Sequence, residues 1–147
     1  MKKILIISKT FYPNLSPRAN RTTQLALEFV RLGYETTVIL PDLDESFYKH
    51  YSEETKIRFQ NLGVTKFKPF SGDGLISRIL NRLLLLLFEY PDIELAWMVN
   101  KALRKVTDFD LLITIAVPHP NHWGAAQVRK TTKGYKGGVA DCGDPYM

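Results

Sequence analysis

KILIISKTFYPNLSPRANRTTQLALEFVRLGYETTVIL, residues 3–40, is the stretch whose reading decides the fold. Lys2–Ser8 is continuous Ile and Leu bounded by charge, the pattern of a strand buried on both faces. A loop follows over Lys9–Ser16, with Pro13 and Asn14 as breakers. Ser16-Pro17 then supplies a helix N-cap and a proline at the first helical position. Thr22, Leu25, Ala26, Phe29 and Leu32 recur at helical spacing, and Gly33 provides the stop. Glu35–Leu40 reads as a second strand, closed by Pro41. Strand, helix and strand in this order make a βαβ unit, which commits its two strands to be parallel.

The pattern continues outward from that unit. Residues near Ser52–Asn61 are expected to be helical, with Gly63 after them, and Val64–Pro69 to form a short third strand. Leu75–Tyr90 and Ile93–Val106 predict two helices. Asp110–Ala116 (DLLITIA) predicts a fourth strand, followed by a Pro-His-Pro loop and a helix near Asn121–Lys130. Gly137–Asp141 is the expected fifth strand. The fold class is therefore α/β: a Rossmann-like doubly wound parallel sheet of about five strands with helices on both faces, in one domain over residues 1–147. In such sheets ligands bind beyond the carboxyl ends of the strands, where the strand order reverses. Three loops belong to that edge: Lys9–Arg18, Ala116–Asn121 and Asp141–Met147.

Bulk properties narrow the chemistry. The single cysteine, Cys142, permits no internal disulfide, and fits a reduced cytoplasmic setting. The longest apolar run, Leu83–Phe88, is far shorter than the ~20 residues that span a bilayer. Ile4–Ile7 is too short for the core of a signal peptide. A net charge of +5 favours anionic partners. No Lys/Arg tract, zinc-finger spacing or RNA-binding signature is present, so nucleic acid is not an expected partner.

The first loop ends at a helix N-terminus, whose free N–H groups and dipole attract anions. Arg18 and Arg21 in that first turn oppose the dipole, a local rule broken at a place where function is expected. Ser16, Arg18 and Arg21 are therefore the candidate anion or hydroxyl contacts. The loop contains no glycine, so it is neither a dinucleotide fingerprint nor a P-loop. Asp42 is read as a strand-end turn residue. In the second loop, His119 lies between Pro118 and Pro120 directly after a strand, where it can act as a base or bind a sugar hydroxyl. His122 falls in the next helical turn and carries less weight. In the third loop, Asp141 and Asp144 flank Gly143 and suit either hydroxyl binding or turn chemistry. Cys142, with no histidine near it in sequence, is read as structural, and no ligand spacing predicts a metal site.

The helix over Leu75–Tyr90 starts amphipathic, with Arg78 and Arg82 on its polar side, and ends apolar all round. Such an end is expected to be buried against the domain core or the following helix, to meet a membrane surface through Leu83–Phe88, or to meet a partner protein.

Residues 3–40 resemble the opening of family-4-type glycosyltransferases of the GT-B fold, which begin with a strand, an F-x-P loop, a helix of the L-A-x-x-L type and then "GHEVTV". The counterparts are Phe11, Pro13, Leu25, Ala26, Gly33, Tyr34, Glu35, Thr37 and Val38. YPDIELAW, Tyr90–Trp97, and the closing DCGDPY are similar to a bacterial branch acting on cell-surface polysaccharides, the latter to its "D-x-R-D-x-W". The resemblance covers nearly the whole chain, with a weak middle at residues 44–75. Ser16, Pro17, Arg18 and Ala19 stand where many relatives have a Gly-Gly pair. Gly143 and Tyr146 stand where the branch has Arg and Trp, which weakens transfer of a role to Asp141 and Asp144.

The resemblance implies an N-terminal, acceptor-side domain of an enzyme that moves a sugar from a nucleotide sugar to a lipid-linked or polysaccharide acceptor, with retention and without an essential metal. It places His119 beside the reacting sugar. It implies a partner C-terminal domain with an E-x7-E motif that holds the nucleotide-sugar donor. Without it, this half is expected to be inactive, to hold no cofactor of its own, and to stop before its domain finishes. An unfinished sheet edge would favour self-association. The setting implied is cytoplasmic, at the inner face of the membrane. The rival reading is a stand-alone Rossmann-like module that holds a nucleotide or phosphorylated ligand without catalysis. A receiver or flavodoxin-like domain fits poorly, because Ser8, Lys9 and Thr10 supply no acidic cluster and the first loop is proline-rich.

Overall fold

The computed structural model describes residues 2–63, 74–88, 92–106, 108–116, 118–131 and 135–143. Among the described residues five strands and five helices follow one another in the order β1 (Lys3–Ile7), α1 (Pro17–Arg31), β2 (Glu35–Pro41), α2 (Glu45–Thr55), β3 (Arg58–Gly63), α3 (Leu75–Phe88), α4 (Ile93–Leu103), β4 (Phe109–Ile115), α5 (Pro120–Thr131) and β5 (Tyr135–Asp141). The strands form one parallel sheet in the order β3-β2-β1-β4-β5. Ile4 of β1 is in register with Thr36 on one side and Leu111 on the other. The fold is a Rossmann-like doubly wound sheet, as the βαβ pattern predicts.

The period of two along β1 explains the layers. Ile4 and Ile6 point into a core with Ala26 of α1, Val38, Leu40, Tyr48 of α2 and Ile57. Leu5 and Ile7 point the other way, onto Val99 and Leu103 of α4 and Ala125 and Val128 of α5. A strand buried on both faces has no polar positions to alternate, so it reads as an unbroken apolar run.

The start of α1 follows the sequence signals. Ser16 is the N-cap, its hydroxyl accepting from the Ala19 N–H at 3.2 Å, and Pro17 opens the helix. Gly33 closes it at φ +82°, a backbone region that glycine enters without steric cost.

One element differs from expectation. The segment Ser52–Asn61 is not a single helix. Asp44 caps α2 with its carboxylate, accepting from the Ser46 and Phe47 N–H groups. The Ser46 hydroxyl and then the Phe47 N–H hold the Asp44 carboxyl below its ordinary pKa. Lys56 ends α2 at φ 62°, and Arg58–Gly63 becomes β3, paired with β2. Its alternation is weak because β3 is the sheet edge and buries little beyond Phe59. The third strand expected at Val64–Pro69 lies outside the described residues. At the other edge, β5 leaves Val139 exposed.

Candidate functional site

The strand order reverses between β1 and β4, so the crevice beyond their C-terminal ends is the expected ligand position. Two loops flank it. The β1–α1 loop is held from several sides. Phe11 is buried edge-on against Tyr51 and Phe59 and packs on Tyr48. The Tyr12 N–H donates to Thr23 Oγ1 at 3.1 Å, and the Tyr48 hydroxyl donates to the Tyr12 carbonyl at 2.7 Å. Asn14 Oδ1 accepts from the Ser16 N–H at 2.8 Å, an Asx turn that delivers the chain to the helix cap. Ser8 and Thr22 hydroxyls meet at 3.2 Å, tying the strand end to α1. Burial pushes the Tyr48 phenol pKa up. The Tyr12–Pro13 peptide is cis.

Cations gather around this loop. Arg21 Nη1 lies 3.2 Å from Asp141 Oδ1, which also accepts from the Gly143 N–H at 3.0 Å. This pair joins α1 to the end of β5 across the reversal. Lys9 Nζ reaches both carboxylate oxygens of Asp92, at 2.7 and 2.9 Å. Arg18 is exposed one residue into α1, and its guanidinium has no ion pair with the described residues. A cleft of about 410 Å³ opens beside the loop, between the ends of β1 and β2, with Lys9, Asn14, Asp42 and Tyr48 on its walls.

The start of α5 is held by buried groups. Asn121 is fully buried, and its Nδ2 donates to the Ile115 carbonyl at 3.3 Å. The His119 carbonyl accepts from the His122 N–H at 2.8 Å, so α5 starts at Pro120 with His119 just before it and His122 in its first turn. Their rings are 6.1 Å apart. His122 Nδ1 lies 2.6 Å from Thr114 Oγ1 and its Nε2 lies 3.9 Å from the exposed Cys142 Sγ. Thr114 also donates to the Val139 carbonyl at 3.5 Å. In the Nδ1–H tautomer the threonine hydroxyl accepts from the ring, and Nε2 can accept from the thiol. Thr114 and His122 line a cavity of about 140 Å³ between β4, β5 and α5, with Arg129 at its wall.

The sequence-derived candidates thus divide. Arg21 and Asp141 are brought together as an ion pair. Ser16 caps α1. Arg18 and His119 sit at the same edge, on either side of the reversal. Asp144 lies outside the described residues. Asp42 occupies a left-handed turn position at φ 51°, in keeping with its reading as a turn residue. Three groups were missed: Lys9, Thr114 and the His122–Cys142 contact. Cys142 was set aside because no histidine is near it in sequence. Yet β4 and β5 are adjacent parallel strands, so the residues just beyond their ends meet in space. Thr114, a hydroxyl inside the apolar run DLLITIA, was the available signal. Among the described residues no group of three or more His, Cys, Asp or Glu side chains is placed to hold a metal.

Comparison with known proteins finds no matching family model, no matching curated protein and no matching solved structure.

Proposed function

We propose that this chain is the acceptor-side domain of a glycosyltransferase that moves a sugar from a nucleotide sugar to a lipid-linked or polysaccharide acceptor. The observation that carries this reading is the glycine-free β1–α1 loop, held by packing and hydrogen bonds at the β1/β4 reversal, with His119 shortly beyond the end of β4. The loop resembles the F-x-P opening of the GT-B enzymes, and its Phe11, Asn14 and Ser16 are each tied down by packing or hydrogen bonds. A fixed loop at a switch point presents the Arg18 guanidinium and backbone N–H to a ligand; Pro17 has no N–H, and those of Ala19 and Asn20 are taken by the Ser16 hydroxyl and carbonyl.

In this reading Arg18, with the first turn of α1, binds a phosphate or hydroxyl of the acceptor. Arg21 contributes from its pairing with Asp141. His119 hydrogen-bonds the reacting sugar, and His122, oriented by Thr114, supports the same face. The nucleotide sugar is held by a second domain, so this domain alone binds acceptor and does not turn over.

The test is sugar transfer by the two-domain protein, measured with labelled nucleotide sugar. His119→Ala is expected to lower kcat by about 10²–10⁴, the range for a lost acid–base or hydrogen-bonding group. Unchanged turnover overturns the role of His119. Nucleotide binding by this chain alone, with no transfer by any longer form, supports the non-catalytic module instead.

A further inference from the structure

The helix α3 turns most of its apolar side chains outward. At about 100° per residue, Ser77, Leu80, Asn81 and Leu84 form one half-buried stripe among the described side chains, two of them polar and two apolar. The opposite side carries Leu75, Ile76, Ile79, Leu83, Leu86 and Leu87, which are 50–74% exposed. A helix that belongs to a globular core places these residues the other way round. The expectation that its apolar end is buried against the core or α4 is therefore not met: Leu85, Leu86 and Leu87 all face outward. Contiguous apolar surface of this kind marks a contact with something outside the domain.

Charge selects the occupant. The helix contains no acidic residue, and its two cations, Arg78 and Arg82, are exposed on the flank of the apolar face. Pairing this face with a second copy would bring four arginines together with no carboxylate on either helix. An anionic bilayer supplies the complement for both features: acyl chains for the leucines and headgroup phosphates for the guanidiniums. The net charge of +5 adds attraction to the same surface. With 14 residues, α3 is about 21 Å long, short of the ~30 Å hydrocarbon core. Among the described residues no helix is long and apolar enough to cross a membrane. An apolar helix face flanked by arginines suits the interface plane of a bilayer.

We infer that α3 docks this protein on the surface of an anionic membrane, with Ile79, Leu83 and Leu86 sunk among the acyl chains and Arg78 and Arg82 on lipid phosphates. The inference stands on α3 alone and does not depend on the transferase reading.

Co-sedimentation of the full chain with phosphatidylglycerol vesicles, against phosphatidylcholine vesicles, tests it. The chain is expected to sediment with the anionic vesicles and far less with the neutral ones. Arg78→Gln with Arg82→Gln should weaken anionic binding about thirtyfold, about fivefold for each cation near the surface. Ile79→Ser, Leu83→Ser and Leu86→Ser together should abolish binding to both vesicle types while the circular dichroism of the chain is kept, because these side chains are exposed. Three results overturn the inference: no sedimentation with anionic vesicles, equal binding by the serine variant, or equal binding to both vesicle types that the glutamine variant leaves unchanged. A concentration-dependent dimer, lost in the serine variant without vesicle binding, assigns the face to a second copy instead.

Discussion

Gly124 of α5 packs directly against the backbone of α4, and Gly124→Ala separates packing from propensity. A methyl group built there falls on the Ala96 carbonyl oxygen, 2.9 Å from Val99 Cβ and 3.1 Å from the Ala96 carbonyl carbon. Two of these three atoms are backbone inside a helix, so they cannot rotate aside. The two helices must move apart, which loosens the contacts of Val99, Leu103, Ala125 and Val128 on that face of the sheet. Intrinsic propensity runs the other way, favouring alanine over glycine in a helix by about 0.8–1 kcal/mol. Overpacking a filled core costs about 1–3 kcal/mol, and an immovable backbone obstruction belongs at or above the top of that range. The net expectation is a loss of about 2 kcal/mol, or about 4–8 °C in Tm for a chain of this size. Urea unfolding followed by far-UV circular dichroism measures it, with Ala126→Gly as control. Ala126 is exposed on the same helix, so that change should cost about 1 kcal/mol through propensity alone. Both variants should therefore lose stability, although they exchange the same two residues in opposite directions. A Gly124→Ala protein as stable as wild type, or more so, refutes the close approach of α4 and α5.

Phe11→Ala should cost about 3–5 kcal/mol, because the ring is buried among Tyr48, Tyr51 and Phe59, whereas Leu15→Ala, at 79% exposure in the same loop, should be close to neutral; urea midpoints compare the two. Asp110 is held below the usual carboxylate range by the Lys136 ammonium and then by the Lys3 N–H. A depressed folded-state pKa stabilises above the unfolded value, about 3.9, and that contribution is lost as pH falls through the folded one. The stability difference between wild type and Asp110→Asn should thus be present at neutral pH and close on acidification below about pH 4; a difference that persists there points to the changed hydrogen bond and away from charge.

The sheet was legible because its central strands are buried on both faces. Ile4–Ile7 of β1 are all apolar, and Leu111–Ile115 of β4 are apolar except for Thr114, because α1 and α2 cover one side and α4 and α5 the other. Helix ends were legible where a local device sets them, as Ser16 and Gly33 do for α1. Residues 58–61 read as helix for the converse reason. Arg58–Gly63 lies at the sheet edge, where solvent relaxes the pattern, and its start is set by a left-handed Lys56 that composition does not announce.

The site divides along a similar line. Sequence reasoning finds loops by position along the chain, which is why the β1–α1 turn, His119 and Asp141 could be named at once. It ranks residues poorly when their meaning comes from a neighbouring strand. Arg21 and Asp141 are 120 positions apart and form one ion pair. His122 is oriented by Thr114 from β4 and touches Cys142 from beyond β5. Strand order, β1-β4-β5, is what converts these into contacts, and it depends on which strand the chain returns to after α3 and α4. Periodicity within one segment carries no information about that choice. The same limit explains α3. Its composition showed an apolar helix, but only its placement reveals that Ser77 and Asn81 share the inward stripe with Leu80 and Leu84 while Leu83 and Leu85–Leu87 face outward. That reversal turns an expected core element into a surface that needs a partner.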